Sequence, residues 1–291
     1  MKLPLFSGIE DINCGIPFPG LLYSLQMSRT VSSKKDRVKG ILLGLAAGDR
    51  NGGPIRMAVR LAESLVHVGK FDLEDIGARY LDWWHNDAFD TGPTAARVFT
   101  LVDSGLSFPV AARQVHIETG EQTAGCNPAH RSAPLAMMSY LNTQQLAEYA
   151  MEEATLTHHH PLSGDVAAVV VMICHQLVRG STWDNAIESA CAGRLPETRI
   201  SMRKPDFNSL NNGGFAPDIL AAAVHFVGTS GSFEDALDAA LQFAGPANYC
   251  PVLVGSIAGA RWGMSSINPS LLEHCTIESR IRAAAESLTR R

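Results

Sequence analysis

The chain has 291 residues, 46% of them apolar, enough for a large buried core, and no linker divides it. Its net charge of −5 argues against nucleic acid as a partner, because phosphate binding needs a basic face. No uninterrupted run of about 18 apolar residues stands out, so no membrane span is expected.

Residues 1–36 read as an irregular extension. Gly8, Gly15, Pro17, Pro19 and Gly20 break any periodicity, and no basic start followed by an apolar run marks a secretory leader. From Asp36 the pattern turns helical: Val38, Ile41, Leu42 and Leu45 fall three and four apart, up to Gly48. The same period predicts helices over 55–68, with Pro54 in the first turn, and over 73–84, 93–104, 108–119, 143–156, 161–179, 183–192, 216–227, 232–243 and 251–262. No stretch alternates strictly, so the fold class is all-α, a single large helical bundle over residues 37–291. Gly255, Gly259 and Gly263 recur every four residues and predict a close helix–helix approach. Cys14, Cys126, Cys174, Cys191, Cys250 and Cys275 are scattered without a Cys-x-x-Cys pair. That argues against a zinc site or a disulfide framework and for reduced thiols in a cytoplasmic protein.

Five polar, glycine-rich segments interrupt the helices. In the first, Asp49, Arg50, Asn51, Gly52 and Gly53 precede a helix whose free N–H groups can hold an anion or a sugar hydroxyl; a tight turn capped by Asp or Asn suits the same residues. In the second, Asp90 is either an N-cap or a general base. The third, residues 123–134, carries Asn127 and Arg131. Arg131 either forks onto a phosphate or carboxylate or ties loops together from a buried position, and Cys126 has no catalytic-looking neighbour. In the fourth, His158, His159 and His160 are adjacent. Neighbouring residues seldom converge on one metal ion, so one of them, His158, is expected to face the site. In the fifth, Asn248 and Tyr249 precede the last predicted helix, as ligand contacts or as a cap and a half-buried aromatic.

Taken in order, these segments resemble the ADP-ribosylglycohydrolase family, which includes the dinitrogenase reductase-activating glycohydrolases and the J-crystallins. Gly44 to Asp49 resembles the family's Gly-x-x-x-Gly-Asp, and Met57 to Leu65 its next helix. Phe89 to Thr94 resembles its Asp-x-Gly-x-Thr element, and Gly125 to Leu135 its Gly-Asn-Gly-x-x-Met-Arg-x-x-Pro-Leu element. Thr157-His158 and the stretch from Gly213 to Gly263 extend the likeness over residues 37–270. The resemblance implies an all-α orthogonal bundle that hydrolyses N- or O-glycosidic bonds of ADP-ribose, usually with two magnesium ions.

Two departures stand out. Where the family carries Thr-Asp-Asp-Thr, this chain has Gly52-Gly53-Pro54-Ile55; where it carries Gly-Asp-x-Asp-Thr, the chain has Gly245-Pro246-Ala247-Asn248-Tyr249. Magnesium takes hard oxygen ligands, chiefly carboxylates, and these replacements bring none. The expectation is a hydrolase for an ADP-ribose-like or nucleoside-like substrate with no cofactor, the magnesium pair being absent. The resemblance makes Asp90 the general base. Asp49 would orient a sugar hydroxyl, and Arg50, Asn51, Gly52, Gly53, Asn127, Arg131, His158, Asn248 and Tyr249 would bind substrate. The alternatives are a non-catalytic ligand-binding protein and a crystallin-like structural one. Residues 49–54 and 245–250 should face each other across one cleft, with Asp90 and Arg131 on its walls.

Overall fold

A computed structural model describes residues 32–203 and 206–290. Ten helices of ordinary length sit within a few residues of their predicted bounds: α1 (Lys34–Gly48), α2 (Gly53–Val68), α3 (Leu73–Asp87), α4 (Pro93–Asp103), α5 (Phe108–Glu118), α7 (Thr143–Ala154), α8 (Pro161–Val178), α9 (Trp183–Cys191), α11 (Ala216–Thr229) and α12 (Phe233–Ala244). The predicted helix over 251–262 is α13 (Tyr249–Trp262). Three were not predicted: α6 (Asn127–Arg131), α10 (Pro196–Ser201) and α14 (Glu278–Thr289). Among the described residues there is no strand, only an isolated bridge between Gly125 and Phe215. The fold is all-α.

The helical body begins before residue 37. Ser33 caps α1 by accepting from the Asp36 N–H, which places Lys34 to Asp36 inside the first turn. The rest of the expected irregular extension, residues 1–31, lies outside the described residues.

The closest packing is between α1 and α13. Gly40, Gly44 and Gly48 lie against Gly259, Gly255 and Pro251, and a Cβ on any of these three α1 glycines would collide with the facing carbonyl oxygen. Two matched rows of small residues, each with a four-residue period, bring the backbones into contact. Gly263 continues this row, lying against Gly40 and Asp36 at the start of α1. It adopts φ 89° as the C-cap of α13, a left-handed conformation that favours glycine.

Helix α8 runs through the core with Val166 to Val171 all fully buried. It corrects the expectation about apolar runs: its 18 residues have a mean hydropathy of 1.6, long and apolar enough to cross a membrane, yet 89% of the helix is buried inside the protein. Ser163, Gly164, Asp165 and His175 punctuate it, which hides the run from a reading that looks for uninterrupted apolar residues. A helix apolar on all sides is the central element of a large core.

Candidate active site

The leading ends of several helices converge on one open cavity of about 550 Å³, within the usual size range of ligand sites. Its wall takes Asn51 and Pro54 from the start of α2, Gly92 to Ala95 from the start of α4, Cys126 and Asn127 from α6, and Asn248 and Tyr249 from the start of α13. His130, His158, Asp90 and Gly214 complete it. Helix α4 begins at Gly92 without a side-chain cap, so its first N–H groups are available to an oxygen-rich ligand.

The loops at residues 49–54 and 245–250 are joined directly. The Arg50 N–H donates to Asn248 Oδ1 at 3.1 Å, and the Arg50 guanidinium donates to the carbonyl oxygens of Gly245, at 2.9 Å, and Ala247. Asn248 Nδ2 donates to Asp49 Oδ1 at 2.7 Å. Arg50 therefore clamps the two loops together, and Asn51, Pro54, Pro246, Ala247, Asn248 and Tyr249 of these loops line the cavity.

Asp49 differs from its expected role. It is 1% exposed and lies beneath the cavity wall. One carboxylate oxygen accepts from the Gly52 N–H and from Asn248, and the other from the Ile55 N–H, both backbone bonds at 2.8 Å. Burial raises its pKa, and these three bonds oppose the rise. With both oxygens engaged it shapes the start of α2 rather than meeting a sugar. Gly52 takes φ 95° in this turn. At Gly53 a Cβ would strike the backbone carbonyls of Phe89 and Asp90, so glycine there lets the α2 start press against the Asp90 loop.

Asp90 itself has φ 53°, a left-handed conformation that Asp tolerates better than most residues. It is exposed at the cavity, and among the described residues its carboxylate makes no hydrogen bond or ion pair.

Arg131 was expected on the wall and lies behind it, fully buried. It pairs with Glu153 of α7 at 2.6 Å, stacks over the Tyr80 ring at 5.1 Å and donates to Asn127 Oδ1. The Tyr80 hydroxyl donates to the same Glu153 oxygen at 2.7 Å. Burial works against the guanidinium charge and is the largest single influence, but Glu153 and Tyr80 together outweigh it and the pKa rises. Arg131 influences the cavity through Asn127, whose Nδ2 donates to the Thr91 carbonyl at 3.3 Å.

Two imidazoles line the cavity. His158 bonds through Nδ1 with the Thr157 hydroxyl at 2.9 Å, and its Nε2 occupies the space a Cβ on Gly125 would need. Sequence reading passed over His130. Its only local signal is that it stands where the quoted family element carries Met. Burial pushes both rings down to about 3, so both are neutral. Asp90 is then the only charged residue on the wall, and no Lys or Arg lines it among the described residues.

The donor set bears on the magnesium that the resemblance implies. Two ions held side by side need several carboxylate oxygens. Here one carboxylate, Asp90, has free oxygens. Both Asp49 oxygens are engaged, and among the described residues no group of three His, Cys, Asp or Glu is placed to hold a metal ion. These donors do not fit a magnesium pair.

The family model for ADP-ribosylglycohydrolase matches residues 55–291. The chain belongs to the ADP-ribosylglycohydrolase family. It is 25% identical over 300 residues to the ADP-ribosylarginine hydrolase Tri1 of Serratia proteamaculans (strain 568), covering 88% of this chain and 80% of the relative. It is 22% identical over 296 residues to the ADP-ribosyl-[dinitrogen reductase] glycohydrolase of Rhodospirillum rubrum, covering 89% of this chain and 97% of that one. A solved ADP-ribosylglycohydrolase-related protein complex shares the fold, with a TM-score of 0.71 at 24% identity over 89% of this chain and 98% of the other.

Proposed function

We propose that this ADP-ribosylglycohydrolase family member hydrolyses a glycosidic bond of an ADP-ribose-like or nucleoside-like substrate, with Asp90 as general base and without a pair of magnesium ions. The observation that carries this is the Asp90 carboxylate: it lines the cavity and has no partner among the described residues, whereas Asp49 is fully engaged. Asp90 takes a proton from water as the water oxygen bonds to the anomeric carbon. The carbon–nitrogen or carbon–oxygen bond breaks, its electron pair leaves with the departing group, and that group takes up a proton from solvent. The uncapped first turn of α4 supplies N–H donors for substrate oxygens.

The test is Asp90→Asn, assayed for release of ADP-ribose from an ADP-ribosylarginine peptide and of ribose from a nucleoside. Asn also tolerates the left-handed backbone, so the melting temperature should hold. Loss of a general base should lower kcat by about 10²- to 10⁴-fold. Activity surviving within a few-fold would remove Asp90 from the chemistry. The second reading, a non-catalytic binding protein, is favoured by the full engagement of Asp49. It predicts that ADP-ribose binds the native chain with no turnover of either substrate.

A further inference from the structure

The loop that carries Asp90 has little to hold it. It joins α3 to α4, and Asp90 and its neighbour Phe89 are exposed. The backbone is left-handed at Asp90 and again at Gly92, with φ 53° and 75°. A left-handed non-glycine residue persists only where its surroundings fix it. Among the described residues, a single hydrogen bond reaches Phe89, Asp90 or Thr91: Asn127 Nδ2 donates to the Thr91 carbonyl at 3.3 Å. Asn127 is fixed in its turn. Its Oδ1 accepts from Nη1 of Arg131, and a guanidinium can only donate. The amide therefore has one orientation, with Nδ2 turned to Thr91. Arg131 Nε lies 2.6 Å from Glu153 Oε1, and both side chains are fully buried. One amide thus links a rigid buried ion pair to the residue that follows Asp90.

We infer that Asn127 is a positioning residue, tying the Asp90 loop to the buried Arg131–Glu153 pair and so holding the Asp90 carboxylate where it acts as base. The inference rests on Asp90 being the general base proposed above. Counted from Gly125, the family element Gly-Asn-Gly-x-x-Met-Arg has glycine where this chain has Asn127. Glycine has no side chain to make the bond, so the tether belongs to this chain's own sequence. The role also differs from the substrate contact expected of Asn127, because both ends of its amide are already engaged within the protein.

The experiment compares the native full chain with Asn127→Ala and the near-isosteric Asn127→Asp, using the two substrates of the Asp90 test. Asp keeps an oxygen for Arg131 but turns a second oxygen, in place of a donor, on the Thr91 carbonyl. A reacting group misplaced by about 1 Å loses about 10²-fold in rate, so kcat should fall by about 10- to 100-fold in both variants. KM should change little, so that kcat and kcat/KM fall together. Hydrogen exchange over residues 88–92 should quicken in both. A raised KM with unchanged kcat would make Asn127 a substrate contact and overturn the inference. Recovery of native kcat by Asn127→Asp alone would overturn it too, since Asn127 would then serve only to satisfy Arg131. Circular dichroism reports whether each variant folds. Should neither fold, the native chain decides: an Asn127 side-chain amide proton should resist exchange by NMR, and free exchange of both overturns the tether. Turnover lost in Asp90→Asn but kept in both Asn127 variants overturns this inference alone. No turnover of either substrate by the native chain overturns the proposed function with it.

Discussion

Lowering the pH from 7.5 to 5.0 should cost this protein about 4 kcal/mol of folding stability through two histidines. His130 and His158 are buried, and burial holds both near 3 rather than the ordinary 6.5. A group whose folded pKa lies below its unfolded one contributes in full above about 6.5 and loses that contribution as the pH falls toward 3. At pH 5.0 the unfolded chain binds a proton at each ring and the folded chain does not. The gap between 6.5 and 5.0 is worth about 2 kcal/mol per histidine. His175, also lowered by burial, moves the same way. Asp49 is raised by burial, so it gains protons on folding and opposes the trend, but only as the pH enters the carboxylate range. Urea titrations at half-unit pH steps and constant ionic strength would measure the slope. His130→Gln and His158→Gln should each flatten the curve by about 2 kcal/mol between the two end points, and the double variant by about 4. Single variants whose curves run parallel to the native one would refute the assignment of buried neutral imidazoles.

Millimolar magnesium should leave the melting temperature unchanged, because a ligand stabilises only by binding the native state and the cavity offers one free carboxylate; a rise reversed by chelation would contradict this. Glu153→Gln strands the fully buried Arg131 charge and should cost about 3–5 kcal/mol in denaturant titrations. Gly259→Ala puts a methyl group against the Gly40 carbonyl and should cost at least about 1–3 kcal/mol, with the neighbouring Ser256→Ala far milder.

The helices were legible because a 3.6-residue period is local. Val38, Ile41, Leu42 and Leu45 announce α1 without reference to anything distant. Helix α14 escaped because only Ile281, Ala284, Ala285 and Leu288 are buried in it, an Ala-weakened stripe among Arg and Glu. The loops that build the site were legible as Gly-, Pro- and Asn-rich breaks, but not the directions of their side chains. Arg131 turns to Glu153, and Asn248 reaches Asp49 across 199 residues. Nothing local to either end indicates such a partner. His130 sits in a five-residue helix too short to show a period, and its place on the cavity wall emerges only once distant segments are brought together.

Those long-range contacts also bear on our proposal that two distant segments have left the family's metal-binding pattern together. On our reading, the family's carboxylates at both segments face one pair of cations. Removing them from one segment alone leaves the other's negative charges crowded and uncompensated, which raises their pKa values and costs stability. Changing both removes the repulsion but also the cation that held the loops. In this chain Arg50 and Asn248 supply that link. The guanidinium takes the Gly245 and Ala247 carbonyls, and the Asn248 amide joins the Arg50 N–H to Asp49. Asp49 in turn fixes the start of α2 through Gly52 and Ile55. The cleft thus keeps its lips at a fixed separation by hydrogen bonds alone. A chain retained only for its helical body gains nothing from such a clamp around an open cavity with a free carboxylate on its wall. The clamp therefore favours a ligand-binding site over a purely structural role, and the unpartnered Asp90 carboxylate favours catalysis within it.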